Sequence, residues 1–263
     1  MSSVEALLRR ERAIVAAALA AVALLAWIYV WRGAGTGMSA LHMTALTLFP
    51  HLQPEMAGGM QSPWLLVVSM WWVMMVAMMT PSAAPLVLLY GRVMRHHAGS
   101  AEPAFVPSLC LFAGYLVAWL VFSLAAAALQ RELQPAGIIS PMMLWSKSAL
   151  LSAGVLAAAG LYQLSPLKQA CLRQCRGPVQ FLTRHWRPGR VGAFALGLKH
   201  GAYCVGCCWM LMALLFVGGV MNLAWIGVLS VLVLIEKLTA AGEWVGRASG
   251  LAMIAWALAT VLA

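Results

Sequence analysis

Residues 199–212 read Lys-His-Gly-Ala-Tyr-Cys-Val-Gly-Cys-Cys-Trp-Met-Leu-Met, so one histidine and three cysteines fall inside an otherwise apolar run. A helix turns about 100° per residue, which places His200, Cys204, Cys207 and Cys208 within an arc of roughly 100° on one face. Imidazole and thiolate at this spacing suit a soft ion, Cu(I) first and Zn(II) second. One ion cannot use the whole stripe. His200 and Cys207 stand about 10 Å apart along a helix axis, while metal–sulfur bonds measure about 2.3 Å. Either an adjacent subset binds, or the stripe passes an ion along, and the missing ligands come from other elements.

Three other segments offer such ligands. Cys171 and Cys175, in Leu-Lys-Gln-Ala-Cys-Leu-Arg-Gln-Cys-Arg, share one face if that segment is helical, and Lys168, Arg173 and Arg176 beside them favour thiolates. Met70, Met74 and Met78 line one face of the run from Met70 to Pro81, with Met75 and Met79 alongside. Thioethers are Cu(I) ligands, and a methionine stripe serves equally well as adaptable packing. Pro81 and Pro85 are expected to kink the end of this run. Met38, His42, Met43, His51, Met56 and Met60 form a second methionine and histidine set, fit either for capture of Cu(I) or for an ordinary interfacial loop. Glu236 is the strongest intramembrane carboxylate candidate, able to complete a site or offset a metal's charge; alternatively Glu236 and Lys237 snorkel to the interface.

The elements that must position these groups follow from composition. Of 263 residues 63% are hydrophobic and 9% charged, and the mean hydropathy is +0.88. Uncharged runs reach the roughly 20 residues that cross a bilayer. The expected fold is all-α, a polytopic bundle of about seven transmembrane helices near 13–31, 64–90, 106–129, 146–165, 196–218, 222–238 and 246–263, in a single domain. An outer loop over about 32–63 and an inner loop over about 166–195 are the longest connections.

A net charge of +10 is also the mark of a nucleic-acid partner, but its placement points elsewhere. Arg9, Arg10 and Arg12 precede the first span, Arg92 and Arg95 follow the second, six basic residues from Lys168 to Arg190 follow the fourth, and Lys237 and Arg247 flank the sixth connection. Only Arg32, Arg131 and Lys147 fall on the other side. This is a positive-inside pattern, with the amino terminus cytoplasmic and the carboxyl terminus outside, and anionic lipid rather than nucleic acid as the neighbour of the basic residues. The inner (plasma) membrane is the expected location. No cysteine falls in an outer loop on this topology, so the six thiols are available as ligands or redox groups.

Absent motifs narrow the function further. No Walker loop, dinucleotide glycine fingerprint or nucleophile elbow occurs, and the chain contains no aspartate. An ATP-driven pump or a hydrolase is disfavoured, and no catalytic residue is assigned.

The runs Trp72 to Pro81, Ser165 to Pro178, His200 to Met212 and Met221 through Lys237 resemble an uncharacterised bacterial family of predicted metal-binding integral membrane proteins, with Tyr-Cys-x-Gly-Cys-Cys-Trp as the most specific element. The resemblance runs from about residue 64 onward and implies a membrane-embedded metal site without fixing substrate or mechanism. Two readings of the residues stay open. One is copper handling, as a carrier or a donor to other membrane proteins or metallochaperones, through His200, Cys204, Cys207, Cys208, Met75, Met78, Met79, Cys171, Cys175 and Glu236. The other is a thiol–disulfide relay through Cys204-x-x-Cys207, or an accessory subunit of a membrane complex.

Overall fold

The computed structural model describes residues 3–49, 52, 62–97 and 105–263, with side chains of 3–11 and 95–97 outside that description. The described chain is helical: α1 (Ser3–Trp31), α2 (Trp64–His97), α3 (Phe105–Leu133), α4 (Ala149–Leu164), α5 (Pro166–Arg176), α6 (Pro178–His185), α7 (Gly189–Ala213), α8 (Leu215–Gly218), α9 (Leu223–Leu238) and α10 (Gly242–Leu262). The all-α expectation holds. The count of seven spanning helices does not: among the described residues five helices are long and apolar enough to cross a membrane, or six if the bent pair of α4 and α5 makes one span. Helices do occupy 146–165 and 222–238, but each has 16 residues, about 24 Å at the helical rise and short of a bilayer core.

The bend after α4 has a local cause. Ser165 ends α4 and caps α5, its side chain accepting from the Lys168 backbone N–H, and Pro166 opens the new helix. Proline is tolerated at that first position and disfavours continuation of the preceding helix, and the two axes diverge by 63°. Between α5 and α6 a proline, Pro178, again opens the new helix, after Gly177 and without a side-chain cap. The expected inner loop over 166–195 is therefore largely helical. Hydropathy missed α5 and α6 because each is short and amphipathic rather than apolar throughout. Helix α2, by contrast, runs on through Pro81 and Pro85 without a break.

Helix contacts are set by small residues. A Cβ on Gly197 would collide with the Leu111 carbonyl, and one on Gly201 would press on Ala118 and Tyr115, so α7 lies backbone to backbone on α3. Gly160 and Gly250 perform the same service between α4 and α10. Asn222 caps α9 with its side-chain oxygen and donates its amide to the Ala45 carbonyl at 2.8 Å. The segment before α2 is thereby tied onto the bundle. Helix α1 is peripheral, with 17% of its spanning window buried.

Candidate metal centre

The close packing of α7 on α3 turns the cysteine-bearing face of α7 inward. His200, Cys204, Cys207 and Cys208 are all buried, at 3%, 1%, 1% and 1% exposure. Two further helices close over them. Helix α5 presents Lys168, Cys171, Leu172 and Cys175 at the i, i+3, i+4, i+7 spacing of one helical face, and α9 contributes Lys237 from its last turn.

Cys175 and Cys207 meet across the α5–α7 contact with their sulfurs 3.9 Å apart. Two thiolates sharing one ion at about 2.3 Å stand roughly 3.8–4.0 Å apart at tetrahedral or trigonal angles, so this separation fits a shared ion as well as the hydrogen-bonded contact of two free thiols. Cys204 lies one turn before Cys207, and its Sγ accepts from Lys237 Nζ at 2.8 Å and sits 3.0 Å from the Tyr115 hydroxyl. Cys207 and Cys208 both direct their Sγ to the Cys204 carbonyl, at 3.1 and 3.0 Å. Lys237 Nζ stands 3.9 Å from Cys208 Sγ. All six cysteines are free thiols. Among the described residues no three His, Cys, Asp or Glu side chains are gathered around one point for a metal.

The remaining expected residues fall into three groups. Cys171 is half-buried on α5 and faces the helix interface at Gly206, where a Cβ would stand 3.0 Å from its Sγ. His200 lies edge-on to Phe181 at 5.0 Å and 5.9 Å from Tyr115, and its Nδ1 has no hydrogen-bond partner among the described residues. Met75, Met78 and Met79 are buried at 0%, 1% and 0% exposure in the core of α2, which reaches the cluster through the Met79 carbonyl accepting from Tyr115 at 3.2 Å.

Glu236 is not part of the sulfur cluster. Its Oε2 accepts from Lys168 Nζ at 2.6 Å and its Oε1 from Gln163 Nε2 at 2.7 Å, in a buried network that Ser249 extends. Neither Glu236 nor Lys237 snorkels, being 1% and 5% exposed. The expectation that Lys168 and Arg176 serve the thiols of α5 is also overturned. Lys168 is taken by Glu236, and Arg176 donates to the Thr239 and Ala240 carbonyls. The cation beside sulfur is Lys237 instead.

Tyr115 and Lys237 are the neighbours that sequence reasoning did not assign to the cluster. Tyr115 carries no local signal, since only the glycine-mediated approach of α3 brings it there. Lys237 does carry one: a lysine closes an apolar run in a chain with 7 acidic residues, where a carboxylate partner is scarce. Of the proposed outer capture set, His42 is exposed and Met43 is buried, its sulfur accepting from Thr36 at 4.0 Å. His51, Met56 and Met60 lie outside the described residues.

No curated protein and no solved structure matches the chain. One family model does, described as a copper chaperone and designated PpoB2, over residues 68–260. That match takes in α5, α7 and α9, and with them every cysteine of the cluster. The chain belongs to the PpoB2 family of copper chaperones.

Proposed function

We propose that the protein holds Cu(I) within the membrane between α5 and α7, on Cys175 and Cys207 with Cys204 as third donor, and passes it on by ligand exchange. The observation that carries this reading is the 3.9 Å approach of two sulfurs from different helices. Soft thiolates select a soft ion, and a buried site keeps it from water. A chaperone must also release its cargo. Thiols drawn from two helices without a gathered set of three bind less rigidly than a closed site, and an incoming ligand can replace one of them first. Cys171 and Cys175 are half-buried where the three α7 cysteines are buried, so exchange proceeds through the α5 face. Helix α5 carries Arg173 and Arg176 in its last turn; under the positive-inside pattern that end of the helix is cytoplasmic, in a bacterial inner membrane. His200, with its free Nδ1, and Cys208 are further stations on α7. The methionines of α2 form the wall behind Tyr115.

The test is the copper content of the purified, reduced protein beside a variant with Cys175, Cys204 and Cys207 all changed to serine. Near-stoichiometric Cu(I) in the first and none in the second is expected. Equal copper in both would refute the site. Cys204–Cys207 disulfide chemistry finds less support, since Cys207 Sγ is directed to the Cys204 carbonyl and meets Cys175 across the helix contact.

A further inference from the structure

Lys237 is a buried cation whose neighbours are sulfurs. Its Nζ donates to Cys204 Sγ at 2.8 Å and stands 3.9 Å from Cys208 Sγ. No carboxylate reaches it among the described residues. Glu236, its neighbour in sequence, is bound to Lys168 and Gln163, Glu243 pairs with Arg247, and Glu132 is exposed on α3. A buried charge without compensation is costly, so a lysine retained here is held by sulfur.

We propose that Lys237 is a charge filter, an ammonium built into the sulfur cluster that admits soft monovalent ions and rejects soft divalent ones. The inference rests on the copper reading above. Thiolates alone sort ions by softness and bind Zn(II) and other thiophilic divalent ions as well as Cu(I). A fixed positive charge sorts by valence, because a divalent ion meets twice the repulsion that a monovalent ion meets. An ion bonded to Cys204 at about 2.3 Å lies no farther than about 5 Å from Nζ. At that distance, with an effective dielectric of about 20, one extra unit of charge changes affinity by about two decades. The N–H donated to Cys204 survives metal binding, since a coordinated thiolate keeps lone pairs to accept it. The filter therefore remains in place in the loaded protein.

The experiment holds softness fixed and varies charge. Affinities for Ag(I) and Cd(II), both thiophilic, are measured by competition on the reduced full-length protein and on Lys237→Met, Lys237→Gln and Lys237→Arg. The expected result is a preference for Ag(I) over Cd(II) that shrinks about a hundredfold in Lys237→Met and stays within a few-fold of wild type in Lys237→Arg. Lys237→Gln keeps a donor for Cys204 and drops the charge, so it shows the same shrinkage and replaces the methionine variant if that one does not fold. An unchanged preference in the neutral variants, with Cu(I) binding intact, overturns the filter alone. A wild-type protein that takes neither Cu(I) nor Ag(I) refutes the copper reading on which it rests.

Discussion

Glu236 and Lys237 are adjacent on α9, yet they enter two different kinds of buried polar region. Glu236 completes a network of nitrogen and oxygen partners in which Lys168 and Gln163 each reach one carboxylate oxygen. Lys237 enters a region of sulfur, where the thiols of Cys207 and Cys208 make do with a backbone carbonyl and, among the described residues, no three donors are gathered for a metal. The first region pairs its two charges and holds helices together, with Gln163 Oε1 its one buried atom that has no hydrogen-bond partner among the described residues. The second has unused coordination capacity, which a structural network avoids and a metal-exchange site needs. The two are also coupled. Lys168 lies two helical turns before Cys175 on the same face of α5, so the ion pair with Glu236 fixes the helix that delivers Cys175 to Cys207.

The largest effect is expected where the charge-paired network is opened. Lys168→Ala or Glu236→Ala leaves its partner charged and unpaired in the core, a loss of about 3–5 kcal/mol, read as a fall in the denaturant midpoint. Replacing both by methionine removes the stranded charge and recovers most of that loss. If the single variants are as stable as wild type, the pair does not anchor α5.

The sulfur region should respond in the opposite sense, with a large change in binding and a small one in stability. Cys207→Ser replaces a soft donor by a hard one and is expected to weaken Cu(I) by about a hundredfold, equivalent to about 2.7 kcal/mol, in a competitive titration. Its unfolding midpoint should stay near wild type, because serine fills nearly the same volume and retains a donor for the Cys204 carbonyl. A Cys207→Ser protein that unfolds but binds copper normally would reverse the two roles.

Smaller effects sharpen the boundary of the site. Met78→Leu conserves volume in the core of α2 and should cost less than about 1.5 kcal/mol, with copper stoichiometry unchanged; loss of copper there would make α2 a ligand helix. Smallest of all is Arg247→Ala, which breaks an exposed pair with Glu243 at 2.8 Å. That change is expected to fall within about 1 kcal/mol in thermal unfolding.

Much of the bundle was legible because a bilayer demands long apolar runs, and helices lie where those runs were read. The stripe of His200, Cys204, Cys207 and Cys208 was legible too, since it depends only on helical spacing. What escaped were the features set between helices. Cys175 finds Cys207 because Ser165 and Pro166 bend the chain by 63° and Lys168 pins the result, and no periodicity within either segment encodes that meeting. Tyr115 reaches Cys204 through the glycines of α7. Lys168 and Lys237, read as markers of topology and interface, are both buried, because each finds a specific partner that a local reading does not supply.

The account turns on Cys175, the donor that comes from outside the α7 stripe. Its most direct test is a competitive Cu(I) titration of Cys175→Ser beside wild type, both reduced. A loss of about a hundredfold in Cu(I) affinity with the fold intact is the predicted result. An affinity equal to wild type would contradict a site shared between α5 and α7, and would confine any copper to α7 alone.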